Sequence, residues 1–121
     1  MKTKMKRVFA ALLLTVACML TCFGCTPANK AFKIVGEPTF SYVYDEEYQQ
    51  YDVIIEGVAK NNSDDKMEWI SLTFVIYDEG GNTIGVAEDD VTYVAPQGTW
   101  RFCARGSSKY EPISIKLVKF E

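Results

Sequence analysis

The sequence predicts an all-β fold, a sandwich of two antiparallel sheets, and two observations support this prediction. After residue 26 the chain contains six to eight short runs rich in β-branched and aromatic residues, with turn sequences about every ten residues. No stretch in this region keeps the period of an amphipathic helix. The clearest run, residues 67–78, carries apolar side chains at every second position, which places them on one face of a strand. These side chains are Ile70, Leu72, Phe74 and Ile76.

The chain has 121 residues, which suits one domain, and its charge is uneven. Residues 1–24 hold four of the thirteen cations and no acid, so residues 25–121 carry nine cations against sixteen acids, a net charge of −7. A surface this acidic attracts no phosphate backbone, so nucleic acid is not a predicted partner. The chain contains no histidine, the commonest general base and transition-metal ligand. We therefore predict no catalytic residue, no metal site and no cofactor.

The amino-terminal segment predicts a lipoprotein signal helix over residues 1–24. Residues 1–7 are basic, and residues 8–20 form an apolar run shorter than the roughly 20 residues that span a bilayer. Gly24-Cys25 then resembles the lipobox of bacterial lipoproteins, in which a small residue precedes the cysteine that receives a diacylglycerol. The resemblance implies lipidation of Cys25, attachment to the membrane through acyl chains, and a tether over residues 25–31.

Other interpretations of this segment stay open. The family has an aliphatic residue three positions before its cysteine, where this chain has Cys22. Cys18 and Cys22 are alternative lipidation sites, although Cys18 would leave a very short apolar run. An ordinary cleaved signal with incidental cysteines, or an uncleaved anchor, would remove the lipid altogether.

The first two strands are predicted on either side of an acidic loop. Residues 31–44 form an edge strand or two short pieces, because Pro38 cannot donate to a central ladder. Residues 45–50 lack the spacing of a calcium loop and are interpreted as a solvated turn. Residues 51–60 form the next strand, in which either both faces are partly covered or Gly57 marks a bulge that switches them. Asn61-Asn62-Ser63 has the form of a glycosylation acceptor and is interpreted as a turn.

The central strand is followed by a hairpin over residues 78–81, where a glycine can adopt positive φ. Residues 83–94 return as one or two short strands, and the acidic residues 88–90 between them are either a cation site or, as we expect, a solvated turn. Trp69 is either an exposed binding aromatic or part of a second, half-buried apolar cluster, and we expect the cluster.

The carboxyl-terminal strands follow a proline turn at residues 95–98. Residues 99–105 alternate, with Cys103 on the polar side beside two arginines as a reactive or, as we expect, an inert thiol. A turn is expected over residues 106–109. The last strand alternates through Leu117, and Val118 and Phe120 break its phase by one residue, which predicts a bulge or the end of pairing.

Phe74-Val75-Ile76-Tyr77-Asp78 resembles the signature of the FxLYD domain, an immunoglobulin-like module of bacterial surface lipoproteins, with isoleucine in place of leucine. The flanking stretches 57–61, 81–85 and 95–102 resemble the rest of the family pattern, apart from Gln97, which separates the expected proline and glycine. The resemblance implies an immunoglobulin-like sandwich over residues 32–121. It also implies structural and not catalytic roles for the motif residues. These are Phe74 and Ile76 in the core, Tyr77, Asp78 as a hydrogen-bond acceptor in the turn, and Gly81.

These observations lead us to expect a non-enzymatic, extracytoplasmic domain, lipid-anchored to the bacterial cell membrane, that binds or scaffolds a protein or glycan at the cell envelope. The alternative is a small-ligand or glycan-binding surface lipoprotein that uses exposed aromatic rings. A row of rings on an open sheet face would favour that alternative, and rings tucked between the sheets would count against it. An enzyme is the third class and would require convergent carboxylates in a deep pocket. The candidate rings are Tyr42, Tyr44, Tyr48 and Trp69.

Overall fold

A computed structural model describes residues 26–121, which form one helical turn and six strands. The predicted signal and Cys25 lie outside the described residues. Within the described residues, no helix is long and apolar enough to cross a membrane. The elements are α1 (Ala28–Ala31), β1 (Phe32–Asp45), β2 (Gln50–Asn61), β3 (Ile70–Tyr77), β4 (Thr83–Val91), β5 (Thr99–Ser108) and β6 (Ser114–Phe120).

The strands form one curled antiparallel sheet in the order β1-β2-β5-β4-β3-β6. Only two residue pairs, Ala87–Gly106 and Glu88–Arg105, join β4 to β5. The sheet folds over at this narrow junction into two three-stranded layers, β1-β2-β5 and β4-β3-β6. The result is an all-β antiparallel sandwich, and it confirms the predicted fold class.

The core lies between these layers and is built by the alternation of β3. Ile70, Leu72, Phe74 and Ile76 are buried, while the residues between them are half-buried. Phe74 meets Phe102 of the opposite layer with the ring centroids 5.8 Å apart. The buried side chains facing β3 from the opposite layer are Val53, Ile55, Ala59, Trp100, Phe102 and Ala104.

Glycines allow the close approaches that this packing requires. A Cβ on Gly106 would collide with the carbonyl oxygen of Val86, at the junction of β4 and β5. A Cβ on Gly57 would lie 2.8 Å from Cζ of Phe102. Strand β2 pairs regularly with β5 through Gly57, so a bulge is absent there, and both faces of β2 are partly covered, the other predicted alternative. The irregularity lies opposite, between Val35 and Thr39, where β1 is an edge strand with a break.

Two predicted turns are strand in the structure. Residues 88–90 belong to the single strand β4, because they pair with residues 71–73 of β3. Residues 106–108 continue β5, because they pair with residues 51–53 of β2. Beyond Glu88 the pairing of β4 with β5 ends, and the Asp89 carboxylate accepts a 2.8 Å hydrogen bond from the backbone N–H of Cys103. Of the two alternatives predicted at Val118, a bulge or the end of pairing, the structure has the bulge, because the register of β6 shifts between Leu117 and Lys119 and pairing continues to Phe120.

The sandwich has two ends, which we name by their position. The amino-terminal end holds Thr26, α1 and the loops 62–69 and 92–98, together with the start of β1. Here Phe32 stacks on Phe120 with the ring centroids 5.4 Å apart. The far end is the opposite one. Its three loops are residues 46–49, 78–82 and 109–113.

Candidate functional site

A row of tyrosine rings occupies the inner face of the β1–β2 hairpin at the far end. Tyr42 pairs with Val53, and Tyr44 pairs with Tyr51, so these side chains share the face that points into the core. The Tyr51 ring lies 5.6 Å from the Tyr42 ring and 4.9 Å from the Tyr44 ring, between centroids. We call Tyr42, Tyr44 and Tyr51 the tyrosine row.

Exposure changes abruptly along this face. Val53 is only 1% exposed, whereas Tyr42 is 37% and Tyr44 is 47% exposed. The row therefore continues the core side of the sheet beyond the part that the opposite layer covers. The rings are neither laid on an outer sheet face nor enclosed between the sheets. They form the open mouth of the sandwich.

The loop before β6 is fixed against the row by one hydrogen bond. The Tyr42 hydroxyl donates to Oε2 of Glu111 over 2.7 Å, and this bond raises the pKa of Tyr42 above its ordinary value. Pro112 is fully buried beside it, while Tyr110 and Ile113 are exposed. The loop adds apolar surface and a carboxylate to the rim of the row.

The far end is strongly acidic. Its loops and the three strand residues next to each loop carry seven carboxylates against two cations, Lys109 and Lys116. Among residues 26–121, no group of three or more carboxylate or cysteine side chains is placed to hold a metal ion. The arrangement offers aromatic faces and negative charge to a cationic partner. The carboxylates are Asp45, Glu46, Glu47, Asp52, Asp78, Glu79 and Glu111.

The residues that resemble the FxLYD signature build the β3–β4 hairpin beside this surface. Phe74 and Ile76 pack in the core, and Tyr77 is half-buried at the end of β3. Oδ1 of Asp78 accepts hydrogen bonds from the backbone N–H groups of Gly80 and Asn82, both at 2.9 Å. The hydrogen bonds from Asn82 lower the pKa of Asp78.

The turn of this hairpin also depends on Gly81, which has a φ of +82°. The side chains of the motif are thus used for packing and for closing the turn. They shape the far end without facing a ligand.

Two of the candidate rings lie apart from the row. Tyr48 is exposed on the loop between β1 and β2, and Trp69 is at the amino-terminal end. The expectation that Trp69 joins a half-buried cluster was wrong, because its side chain is 76% exposed. Met67 and Ile70 both point into the core although they are three residues apart, and the φ of +59° at Trp69 resets the alternation between them.

The cysteine of the body lies between the two ends. Cys103 is a free, half-buried thiol on β5, and its backbone is held by Asp89. It does not adjoin the tyrosine row in the sheet, because it pairs with Glu56 near the middle of β2.

Sequence reasoning missed the role of Asn61, which has 0% exposure. Its Nδ2 donates to the carbonyl oxygens of Asp65 at 2.8 Å and Ala95 at 3.2 Å. Its Oδ1 accepts from the backbone N–H of Ser63 at 3.0 Å and from the Ser63 hydroxyl. The Asn-x-Ser pattern therefore marks a turn that the buried side chain of Asn61 closes at the amino-terminal end, and the visible signal was an asparagine ending a strand.

Comparison with known proteins reaches only the fold. No family model matches the sequence, and no curated protein matches it. Among solved structures, the chain is similar to part of a beta-glucuronidase from glycoside hydrolase family 2, with 12% identity and a TM-score of 0.53. The match covers 67% of this chain and 9% of that chain. At this identity the similarity shows a shared β-sandwich fold and nothing about activity.

Proposed function

We propose that the chain is a non-enzymatic, lipid-anchored extracytoplasmic domain of the FxLYD class, which binds a protein partner at the bacterial cell envelope through its tyrosine row. The signal pattern over residues 1–24 and Gly24-Cys25 support the anchor. The structural use of Phe74, Asp78 and Gly81 agrees with the family resemblance.

The observation that carries this proposal is the separation of the row from the amino terminus. Thr26, the residue after Cys25, lies at the amino-terminal end, where its hydroxyl donates to Asp65 over 3.2 Å. The row lies at the far end. Strand β2 has 12 residues and runs between the two ends, a span of roughly 40 Å at about 3.3 Å a residue. A domain attached through Cys25 would therefore present the row away from the membrane.

The chemistry of the row favours a partner segment rich in lysine or arginine. Tyrosine faces attract cations, and tyrosine is enriched at protein interfaces. The seven surrounding carboxylates add long-range attraction for the same side chains. We therefore expect binding that weakens as salt concentration rises.

A matched pair of variants tests the site. Tyr44→Ala removes a ring of the row, and Tyr93→Ala removes a similarly exposed ring at the amino-terminal end. Crosslinking from intact cells with the lipidated protein as bait should recover a partner with the wild type and Tyr93→Ala, and lose it with Tyr44→Ala. Equal recovery with both variants would refute the assignment of the row. Circular dichroism of both variants checks that the fold is kept.

The anchor has its own test. Labelled palmitate should enter the wild type and not Cys25→Ala, and equal labelling of the two would remove Cys25 from the proposal. Parallel Cys18→Ala and Cys22→Ala variants distinguish the alternative sites.

Glycan binding is the second candidate, because the rings of the row are exposed at an open mouth. Tyr51 is inclined at 75° to Tyr42 and at 65° to Tyr44, so the rings present edges to one another and make no flat platform. The dependence of binding on salt concentration distinguishes a cationic protein partner from a glycan. Retention on cell-wall polysaccharide that is insensitive to salt and lost in Tyr44→Ala would favour the glycan.

A further inference from the structure

We infer that the amino-terminal end of the domain rests on the surface of the bilayer that holds the lipid, with Trp69 as its interfacial contact. This inference depends on the lipid anchor of the proposed function. It adds an orientation and a second contact with the membrane, both carried by residues outside the tyrosine row.

The part of the chain that contacts the sandwich begins at Thr26, directly after Cys25. The backbone N–H groups of Lys30 and Ala31 both donate to the Pro27 carbonyl oxygen at 3.0 Å, which closes α1. Ala31 is buried, and its carbonyl oxygen accepts a 2.7 Å hydrogen bond from the backbone of Asn62. The segment that follows Cys25 is thus docked on the sandwich through Ala28 and Ala31.

The length of one peptide unit then limits how far a lipid on Cys25 can lie from the domain. Consecutive Cα atoms are about 3.8 Å apart, so Cys25 lies one such step from Thr26. Acyl chains on Cys25 would bring the amino-terminal end of the sandwich to the headgroup layer, because docking begins at Thr26 itself.

Trp69 is held outward on the loop before β3, at this same end. Its backbone N–H donates to the carbonyl oxygen of Thr92 over 3.4 Å, between the Met67–Val94 bridge and the start of β3. The left-handed backbone at Trp69 keeps its ring out of the core, and Tyr93 on the neighbouring segment is also exposed. Tryptophan and tyrosine are the residues that collect at the membrane–water interface, where an apolar ring with a polar edge is best solvated.

Charge favours the same orientation. The loops of the amino-terminal end and the three strand residues next to them hold six of the nine cations after residue 25 together with six acids, so this end is close to neutral. By the same bounds the far end carries seven carboxylates against Lys109 and Lys116 and would be repelled by anionic headgroups. The cations of the amino-terminal end are Lys30, Lys33, Lys60, Lys66, Arg101 and Lys119. The acids are Asp64, Asp65, Glu68, Asp89, Asp90 and Glu121.

Tryptophan fluorescence tests the contact, since the chain has two tryptophans and the second, Trp100, is buried in the core. The full lipidated protein is placed in vesicles of phosphatidylglycerol and phosphatidylethanolamine whose acyl chains are brominated near the headgroup. We expect a loss of emission in the wild type relative to unbrominated vesicles. Trp69→Phe, which leaves only Trp100, should show no such loss.

A second probe tests the orientation. Adding Tyr48→Trp to the Trp69→Phe variant moves the reporter to the far end, where emission should be unchanged by bromine. If palmitate enters the protein but wild type and Trp69→Phe respond alike, or if the probe at position 48 is quenched, the orientation is refuted and the anchor stands. If no palmitate enters, the proposed anchor fails, and this inference fails with it.

Discussion

The Tyr42 hydroxyl donates a 2.7 Å hydrogen bond to Glu111 across 69 residues of sequence. Tyr42 belongs to β1, and Glu111 belongs to the loop that leads into β6. These two strands are the outer edges of the curled sheet. The bond therefore joins the edges at the far end, as the stack of Phe32 on Phe120 joins them at the amino-terminal end.

This bond predicts a pH dependence in the alkaline range. The raised pKa of Tyr42 means that its contact with Glu111 stabilises the fold below the ordinary value of 10.0 and is lost as pH rises through the folded-state pKa. Glu111→Gln removes the carboxylate that holds the proton, so the pKa of Tyr42 should fall. Carbon-13 NMR of labelled tyrosine rings measures this, with Tyr42→Phe assigning the resonance.

The control for this titration is Asp52→Asn, which removes another carboxylate of the far end and leaves the Glu111 bond in place. The Tyr42 resonance should titrate as in the wild type. An equal change in Asp52→Asn and Glu111→Gln would show that general charge, and not the hydrogen bond, raises the pKa.

Asn61→Asp is predicted to destabilise the domain strongly. The substitution keeps the shape but replaces the Nδ2 donor with an oxygen that faces the carbonyls of Asp65 and Ala95. Each buried group left without a partner costs about 1–3 kcal/mol. Urea denaturation of this variant beside Asn62→Asp, whose side chain is exposed, measures the loss. Similar midpoints for the two variants would contradict the role given to Asn61.

Phe74→Ala should lower the free energy of unfolding by about 3–5 kcal/mol, because it empties a site in the middle of the core. Phe74 is 2% exposed and faces Phe102 across the sandwich. Val86→Ala, on the exposed side of β4, is the control and should change stability little. A thermal melting curve left unchanged by Phe74→Ala would show that β3 does not line the core.

The sequence correctly predicted the features of the fold that depend only on how apolar residues are spaced along a single strand. The alternation of β3 and the phase break at Val118 both depend on neighbouring residues alone. The turns expected at residues 88–90 and 106–109 were wrong because their pairing is long-range. Residues 88–90 pair with residues 71–73 of β3, and residues 106–108 pair with residues 51–53 of β2, and these ladders keep both segments extended.

The tyrosine row was only partly predictable for the same reason. Alternation puts Tyr42 and Tyr44 on one face, which the sequence shows. Their exposure depends on where the opposite layer ends, and the contact with Glu111 depends on the path of a distant loop. The expectation for Trp69 was wrong because its backbone is left-handed, a conformation that glycine or asparagine usually signals in a sequence, and this position has tryptophan.

Gly106→Ala is predicted to destabilise the sandwich at its junction. The added Cβ would collide with the carbonyl oxygen of Val86, which is backbone and can move only by separating β4 from β5. Because only two residue pairs join these strands, we expect a loss of about 1–3 kcal/mol or more. Ser107→Ala, an exposed neighbour in β5, is the control in the same urea titration.

Asp78 predicts a pH dependence at the acidic extreme. Its pKa is lowered, first by the hydrogen bond from the Asn82 backbone, so the charged form stabilises the β3–β4 turn above the ordinary value of 3.8. That contribution is lost as pH falls through the folded-state pKa. Asp78→Ala should therefore melt at a lower temperature than the wild type at pH 7, and the difference should shrink below pH 3.8. Differential scanning calorimetry across pH 2–7 measures it, with Glu79→Gln, which removes a second carboxylate of the same turn, as control. A gap between Asp78→Ala and wild type that stays constant over that range would mean that Asp78 closes the turn equally well when protonated.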